Sequence, residues 1–124
     1  MNIFKWLSAV CVGLLLFCCN STPEKVKDFD DDTWKSDRYA CKGERSRQID
    51  NLMKQREKFL AFDEMAIVDL LGKPDEQEIY KRNQKFYYYY VEPGPKCTTS
   101  KEVAAQRLII RFNAVGLAKE IDLE

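Results

Sequence analysis

The sequence predicts an α+β fold in which two N-terminal helices pack on one face of a three-stranded antiparallel β-meander, or a four-stranded one. Two patterns lead to this prediction. From Glu44 to Leu71 the apolar residues recur at the spacing of helices that are buried on one side. After Asp75 they alternate with polar residues or form a short aromatic run, as strands do. Helices followed by strands are typical of the α+β class.

The first residues are typical of an export signal and not of the folded body. Lys5 and the amino terminus carry positive charge, and the eleven residues from Leu7 to Phe17 are mainly apolar. A membrane-spanning helix needs about 20 apolar residues, so this run fits a cleavable signal peptide better. We therefore predict a lipoprotein signal peptide at residues 1–18.

A cysteine at the end of this run indicates lipid attachment. Leu16-Phe17-Cys18-Cys19 resembles a bacterial lipobox, which has an aliphatic residue three positions before the modified cysteine and a small residue directly before it. Cys19 meets both conditions, whereas Cys18 would follow the bulky Phe17. The likeness implies acylation of Cys19. Each buried CH₂ of the acyl chains would contribute about 0.8 kcal/mol to the free energy of binding to membrane lipid. The alternative is an ordinary cleavable signal with incidental cysteines.

The remaining cysteines predict one disulfide bond. Of the five cysteines in the chain, Cys11 and Cys18 would leave with the signal and Cys19 would carry lipid. An even pair, Cys41 and Cys97, is then left in an oxidising compartment. The alternative is zinc, but two thiolates in a chain without histidine fall short of a tetrahedral site.

Residues 19–33 are predicted to be a flexible tether between the lipid and the body. The segment is polar and acidic, contains Pro23 and shows no apolar period. Its aspartates recur at alternate positions as in an EF-hand calcium loop. However, Thr33 stands where that loop needs glycine, and Tyr39 stands where it needs a bidentate glutamate. We therefore predict a solvated linker, no metal or other cofactor, and a folded domain at residues 34–124.

The first predicted helix begins near Glu44 and runs to the pair Ala61-Phe62. Charged residues, with Arg45 among them, are expected to cover its solvent side. Its apolar face is expected to carry Ile49, Leu52, Met53 and Leu60, with Phe59 beside it.

The second predicted helix is shorter and has recognisable ends. Asp63 is suited to cap its N-terminus, and Phe62 and Ile67 occupy the two positions of a hydrophobic staple. Gly72 and Pro74 end the helix, because glycine accepts a left-handed backbone and proline cannot continue the helical hydrogen bonds.

Three strands follow, at Phe86–Val91, Leu108–Phe112 and Leu117–Leu123, and Glu78–Arg82 is a candidate for a fourth. Lys119 falls on the apolar face of the last strand, where it would blunt an exposed sheet edge.

The tyrosine run predicts a candidate interaction surface. In a strand Tyr87 and Tyr89 share one face, while Tyr88 and Tyr90 share the other with Phe86. Only one face can lie under the helices, so two tyrosines should point outward, where aromatic rings often anchor interfaces. The alternative is that tyrosine simply suits strands and half-wet surfaces. The sequence leaves open which pair is outside.

The segment DEMAIVDLLGKP, from Asp63 to Pro74, resembles the helix and Leu-Gly-x-Pro element of the SmpA/OmlA (BamE-like) family of small outer-membrane lipoproteins. The residues from Phe86 to Tyr90, from Leu108 to Phe112 and from Phe112 to Leu117 are similar to the three strands of that family. The resemblance covers about residues 60–122. It implies a lipid-anchored protein with an α+β domain, held in the outer membrane and facing the periplasm.

Together these features lead us to expect a cell-envelope interaction module and not an enzyme, with an envelope protein as partner. The resemblance implies a role accessory to outer-membrane protein assembly or envelope integrity. The chain contains no histidine, which removes the commonest general base. Its 20 basic and 20 acidic residues show no basic stretch, which argues against nucleic acid. The alternative is an inhibitor or ligand sensor that presents its sheet to an enzyme or a small ligand.

Overall fold

The computed structural model describes residues 25–97 and 104–124, which form an α+β fold with one antiparallel sheet. The predicted signal peptide, Cys19 and the start of the tether lie outside the described residues. The helices are α1 (Asp31–Ser36), α2 (Glu44–Lys54) and α3 (Glu64–Leu71), with 3-10 turns at Arg38–Ala40, Arg56–Phe59 and Lys81–Asn83. The strands are β1 (Glu76–Tyr80), β2 (Gln84–Tyr90), β3 (Arg107–Phe112) and β4 (Ala118–Leu123), and they lie in the order β1-β2-β3-β4. The predicted class is confirmed, and the described residues contain the fourth strand and one helix more than predicted.

The additional helix, α1, begins inside the segment predicted to be a tether. The carboxylate of Asp30 accepts a hydrogen bond from a backbone N–H of the first turn and so caps α1. Val26 is buried, and the ring of Phe29 lies 5.5 Å from that of the fully buried Trp34. Residues 25–33 therefore belong to the folded body, contrary to the prediction. The apolar residues of this segment are too few to show a helical or strand period, so the sequence pattern gives no sign that the segment is folded.

The first predicted helix is interrupted. α2 ends at Lys54, and the 3-10 turn Arg56–Phe59 follows it. The tighter winding of a 3-10 turn rotates the following side chains relative to an α-helix. Phe59 is therefore buried at 1% exposure, whereas Leu60, which was predicted to be on the apolar face, is 45% exposed.

α3 follows its prediction closely. The Asp63 carboxylate accepts a hydrogen bond from the Ala66 N–H at 2.8 Å, which confirms the N-cap. Gly72 ends the helix with φ at 79°. Ile67 and Leu71 are buried on the inner side of the helix.

A β-bulge in β4 moves Lys119 off the apolar face of the strand. Phe112 pairs with Ala118 and Arg111 pairs with Glu120, so Lys119 is the extra residue between them. Ala118 takes the buried position, and Lys119 is exposed. The prediction that Lys119 lies on the apolar face is wrong, because strict alternation fails across a bulge.

One hydrophobic core joins helices and strands. Its helical and 3-10 members include Trp34, Ile49, Leu52, Phe59, Ile67 and Leu71. The sheet contributes Tyr87, Tyr89, Leu108, Ile110, Phe112, Ala118 and Ile121. We call the sheet face that bears these residues the core face and the opposite one the outer face. None of the helices in the described part of the chain has both the length and the apolar character needed to cross a bilayer.

Candidate interaction surface

The structure assigns the four tyrosines to two faces. Tyr87 and Tyr89 are 7% and 0% exposed and belong to the core. The hydroxyl of Tyr87 donates to Glu64 Oε1 at 3.0 Å, and that of Tyr89 donates to the carbonyl of Gly72 at 2.9 Å. These two tyrosines join the sheet to α3 and its end, so they drop out of the candidate surface. Tyr88 and Tyr90 lie on the outer face.

A row of aromatic rings crosses the outer face. Tyr80, 55% exposed, lies 6.2 Å from Phe86, and Phe86 stacks at 6.3 Å on Tyr88. Cross-strand pairing and period two place these side chains on one face. Phe86 and Tyr88 are half-buried, so part of each ring is open to contact. Tyr90 is 7% exposed and lies against the ring of Tyr39 at 6.1 Å.

Ion pairs hold this row in place. Arg107 pairs with Glu76 at 3.3 Å and with Glu124 at 2.8 Å, and its guanidinium lies 4.4 Å from the Tyr88 ring. The Tyr88 hydroxyl donates to Glu78 Oε2 at 2.9 Å. Rings whose positions are already set lose little conformational entropy when a partner binds.

The outer face is acidic. Its register places five carboxylates there against two guanidiniums, those of Arg107 and Arg111. The carboxylates are those of Glu76, Glu78, Glu120, Asp122 and Glu124. The hydrogen bond from Arg111, 2.8 Å long, lowers the pKa of the Glu120 carboxyl. Arg56 reaches the edge of this face and pairs with Asp122 at 3.7 Å. Five carboxylates against three guanidiniums still give the face a net negative charge at neutral pH.

The Tyr87 phenol predicts a loss of stability at alkaline pH. Burial, followed by the hydrogen bond to Glu64, raises the Tyr87 pKa to about 12 from 10.0. The folded state holds the phenol proton more tightly than the unfolded state, so this stability is complete below pH 10 and is lost as the pH rises towards 12. We expect the melting temperature to fall over that range. In Tyr87→Phe the fall should be shallower, whereas the exposed Tyr80→Phe control should match the wild type. An unchanged slope in Tyr87→Phe would contradict the assignment.

A buried polar centre lies beneath the sheet end that bears Tyr90. The Arg45 side chain is 1% exposed, and its Nη1 donates to Asp75 Oδ2 at 2.6 Å and to the Tyr90 carbonyl at 3.2 Å. Its Nε donates to the Trp34 carbonyl at 3.0 Å. Asp37, also buried, accepts from the Arg45 backbone N–H. These bonds join α1, α2 and β2.

The prediction that Arg45 faces solvent is wrong. The missed signal is its position: Arg45 precedes Ile49 by four residues and Leu52 by seven, which puts all three on one helix face. An arginine at such a position needs a buried carboxylate, and Asp75 supplies it from a distant part of the chain.

The two predicted disulfide cysteines meet. Their Sγ atoms lie 1.99 Å apart, the distance of a disulfide bond, and their Cα atoms are 5.5 Å apart. The pair joins the 3-10 turn Arg38–Ala40 to the loop after β2. The Tyr39 carbonyl accepts from the Gly94 N–H at 3.3 Å in the same place, so Tyr39 is held against Tyr90.

The acidic segment brings three carboxylates together. Those of Asp30, Asp31 and Asp32 lie within 4.8 Å of one another. Asp30 is occupied in capping α1 through Thr33, and Asp31 pairs with Lys35 at 3.4 Å. These contacts give two of the three carboxylates a structural role at the start of α1.

Comparisons with known proteins add no relative. A scan against protein-family models, a search of curated proteins and a search of solved structures each found no match. The resemblance to the SmpA/OmlA family stays a prediction.

Proposed function

We propose that this chain is a lipid-anchored, non-catalytic cell-envelope protein that binds a partner protein through the outer face of its sheet. We further propose that it is SmpA/OmlA-like and acts in outer-membrane protein assembly or envelope integrity, with its domain in the periplasm. The observation that carries the proposal is the outer face itself: a partly open aromatic row, braced by ion pairs, with an excess of carboxylates.

The anchor supports this proposal because it would keep the body near the bilayer. Gln55 Nε2 donates to the Lys27 carbonyl at 2.9 Å, and Asn51 Nδ2 donates to the same oxygen at 2.8 Å. The chain is therefore fixed to α2 soon after Lys25. Six residues lead from Cys19 to Lys25, and they span at most about 20 Å. We therefore expect a partner of this protein to lie close to the membrane surface.

We propose that the helices cover the core face and leave the outer face to the partner. The shared core supports this arrangement, since Ile67 and Leu71 of α3 are in one cluster with Tyr87 and Tyr89. The two tyrosine hydroxyls also bond to Glu64 and the Gly72 carbonyl, at the two ends of α3. A sheet covered on one face commonly uses the other for contact with water or a partner.

The chemistry of the outer face favours a partner with a basic surface. Tyrosine and arginine are the residues that most often dominate binding energy at interfaces, and Tyr88 with Arg107 lies near the middle of this one. Glu78, the carboxylate of this face that has no ion pair within the described part of the chain, and the net negative charge around it would attract lysine and arginine and speed the encounter.

The first part of the test concerns the anchor. The full chain, expressed in a bacterial host, should be recovered from membranes, and the mass of its first peptide should show a start at Cys19 plus acyl chains. Cys19→Ser should lose the lipid. A mature protein that is freely soluble and begins after residue 19 would overturn the anchor.

The second part concerns the partner. A photo-crosslinking residue at Glu78, on the outer face, should capture one protein in intact membranes. The matched control at Gln77, also exposed but on the other side of β1, should not. Tyr88→Ala should weaken the capture by about thirtyfold, the effect of a 2 kcal/mol interface residue. Equal capture from both positions would contradict the outer face as the binding site, and capture of a hydrolase would favour the inhibitor alternative.

A further inference from the structure

The described residues include five large apolar side chains that are exposed, and three of these, Ile79, Tyr80 and Val115, lie at one end of the sheet. Among the residues that the structure describes they are Leu60, Met65, Ile79, Tyr80 and Val115, at 45%, 75%, 70%, 55% and 78% exposure. Single exposed apolar residues are ordinary, but a contiguous group marks a surface that is covered in use.

The topology brings them together. The β1–β2 turn at 81–83 and the β3–β4 turn at 113–117 lie at the same end of the sheet, because Lys85 of β2 pairs with Phe112 of β3. We call this end the turn end. Ile79 and Tyr80 precede the first turn, and Val115 lies in the second.

The segment that leads into α3 reaches the same end. The Ala61 N–H donates to the Ala118 carbonyl at 2.9 Å, next to Leu60 in the chain. Glu64 Oε1 pairs with Lys85 Nζ at 2.9 Å, next to Met65. Ile79 and Val115 line one hollow at the turn end together with Glu64 and Lys85. Met65 and Leu60 lie on neighbouring parts of the surface, along α3 and beside β4.

Basic residues border this apolar group. Lys81 and Arg82 are exposed at the tip of the first turn, and neither has an ion-pair partner within the described ranges 25–97 and 104–124. Lys119 is exposed on the bulge of β4. Several acidic groups here are engaged: Asp63 caps α3, Glu64 pairs with Lys85 and Glu120 pairs with Arg111. Glu57 beside Leu60 and Glu78 beside Ile79 also lie at this surface.

The chain enters the body beside the last turns of α2. α2 starts at the opposite end, where Arg45 bonds to the Tyr90 carbonyl, and it leads through Arg56–Phe59 to Ala61 beside Ala118. Its last turns, which carry Asn51 and Gln55, hold Lys27. Arg56, next in the chain after Gln55, pairs with Asp122 of β4 at 3.7 Å. The short link to Cys19 therefore starts beside the last turn of α2 and the second half of β4, from where its length of at most about 20 Å lets the bilayer reach the turn end.

We propose that the turn end rests on the surface of the anchoring bilayer, as a second contact in addition to the acyl chains. This inference rests on the lipid anchor of the proposed function. Val115 and Ile79 enter the boundary between headgroups and acyl chains, and Tyr80 lies at the level of the headgroups, as interfacial aromatic residues do. Lys81 and Arg82 contact anionic headgroups.

Tryptophan quenching tests this contact in the lipidated full chain, reconstituted in vesicles of equal parts phosphatidylethanolamine and phosphatidylglycerol with brominated acyl chains. Val115→Trp places the probe at the turn end, and Ala104→Trp places the matched control beside β3 at the opposite end. Trp34 is fully buried and gives both variants the same background. We expect most of the added Val115→Trp fluorescence to be lost and that of Ala104→Trp to be kept.

The results separate this proposal from the one on which it rests. A lipidated protein with an unquenched probe in Val115→Trp overturns the bilayer contact and leaves the anchor standing. Absence of acyl chains from the purified protein overturns the anchor itself. If the Val115→Trp probe is exposed to water in vesicles but shielded from water in native membranes, a protein covers the turn end. The bilayer contact is then wrong.

A charge variant tests the headgroup contact without harming the fold. Arg82 has φ at 63°, which glycine adopts more readily than arginine. Arg82→Gly should therefore melt no earlier than the wild type. When Arg82→Gly is combined with Val115→Trp, the ratio of molecules whose turn end contacts the bilayer to molecules whose turn end does not should fall about fivefold. This is the effect of removing one basic charge from an anionic surface. An unchanged ratio would overturn the headgroup contact.

Discussion

Replacing Asp75 with alanine should lower the free energy of unfolding by about 3–5 kcal/mol, because it leaves the Arg45 guanidinium buried without a counter-charge. The side chains of Arg45 and Asp75 are 1% and 0% exposed and meet at 2.6 Å. The Asp75 carboxylate also accepts the Tyr90 N–H at 2.8 Å and the Tyr39 N–H at 3.3 Å. Its loss would leave several donors without a partner at once. Urea unfolding of the two proteins measures the difference.

An exposed ion pair supplies the control. Arg111→Met breaks the pair with Glu120, whose side chain is 60% exposed, and should cost no more than about 1 kcal/mol. A double-mutant cycle with Arg45→Met and Asp75→Asn should show strong coupling, since the two groups touch. Equal costs for Asp75→Ala and Arg111→Met would refute the structural role assigned to the buried pair.

Cys97→Ser should lower the free energy of unfolding by roughly 4 kcal/mol, the value that loop-closure entropy assigns to a loop of this length. The two cysteines are 56 residues apart. In a domain of this size the loss corresponds to a melting temperature lower by roughly 15 °C or more. Thermal unfolding followed by circular dichroism measures it.

Reduction gives an independent check of the disulfide. A dithiol should lower the melting temperature of the wild type to that of the Cys41→Ser/Cys97→Ser double variant, and should leave the double variant unchanged. Two free thiols in the untreated wild type, at positions 41 and 97, would show that the bond does not form.

Local chemistry explains where prediction succeeded. The Asp63 cap and the Gly72 stop depend only on a side chain and the backbone beside it, so α3 ends where expected. The strands at Phe86 and Leu108 follow the composition of a few adjacent residues. Each of these features needs only neighbours in the chain.

Contacts between distant residues explain where prediction failed. Residues 25–33 fold because Val26 and Phe29 pack against the hydrophobic core, which residues from other helices and strands form. Arg45 is buried because Asp75, thirty residues away, neutralises it. Lys119 leaves the apolar face because β3 sets a register that needs an extra residue in β4.

The sequence by itself determined that the tyrosines split into two pairs, because successive strand residues point to opposite faces whatever the fold. Only the tertiary structure decided which pair lies on the core face. In the outer pair the Tyr39 ring lies against Tyr90, which is 7% exposed, so of the four tyrosines Tyr88 alone stays partly open. Both pairs have the same composition, so local preference favours neither, and the choice follows from Glu64 and the Gly72 carbonyl being placed to accept hydrogen bonds from Tyr87 and Tyr89. The candidate interaction surface around Tyr88 is the consequence of that packing.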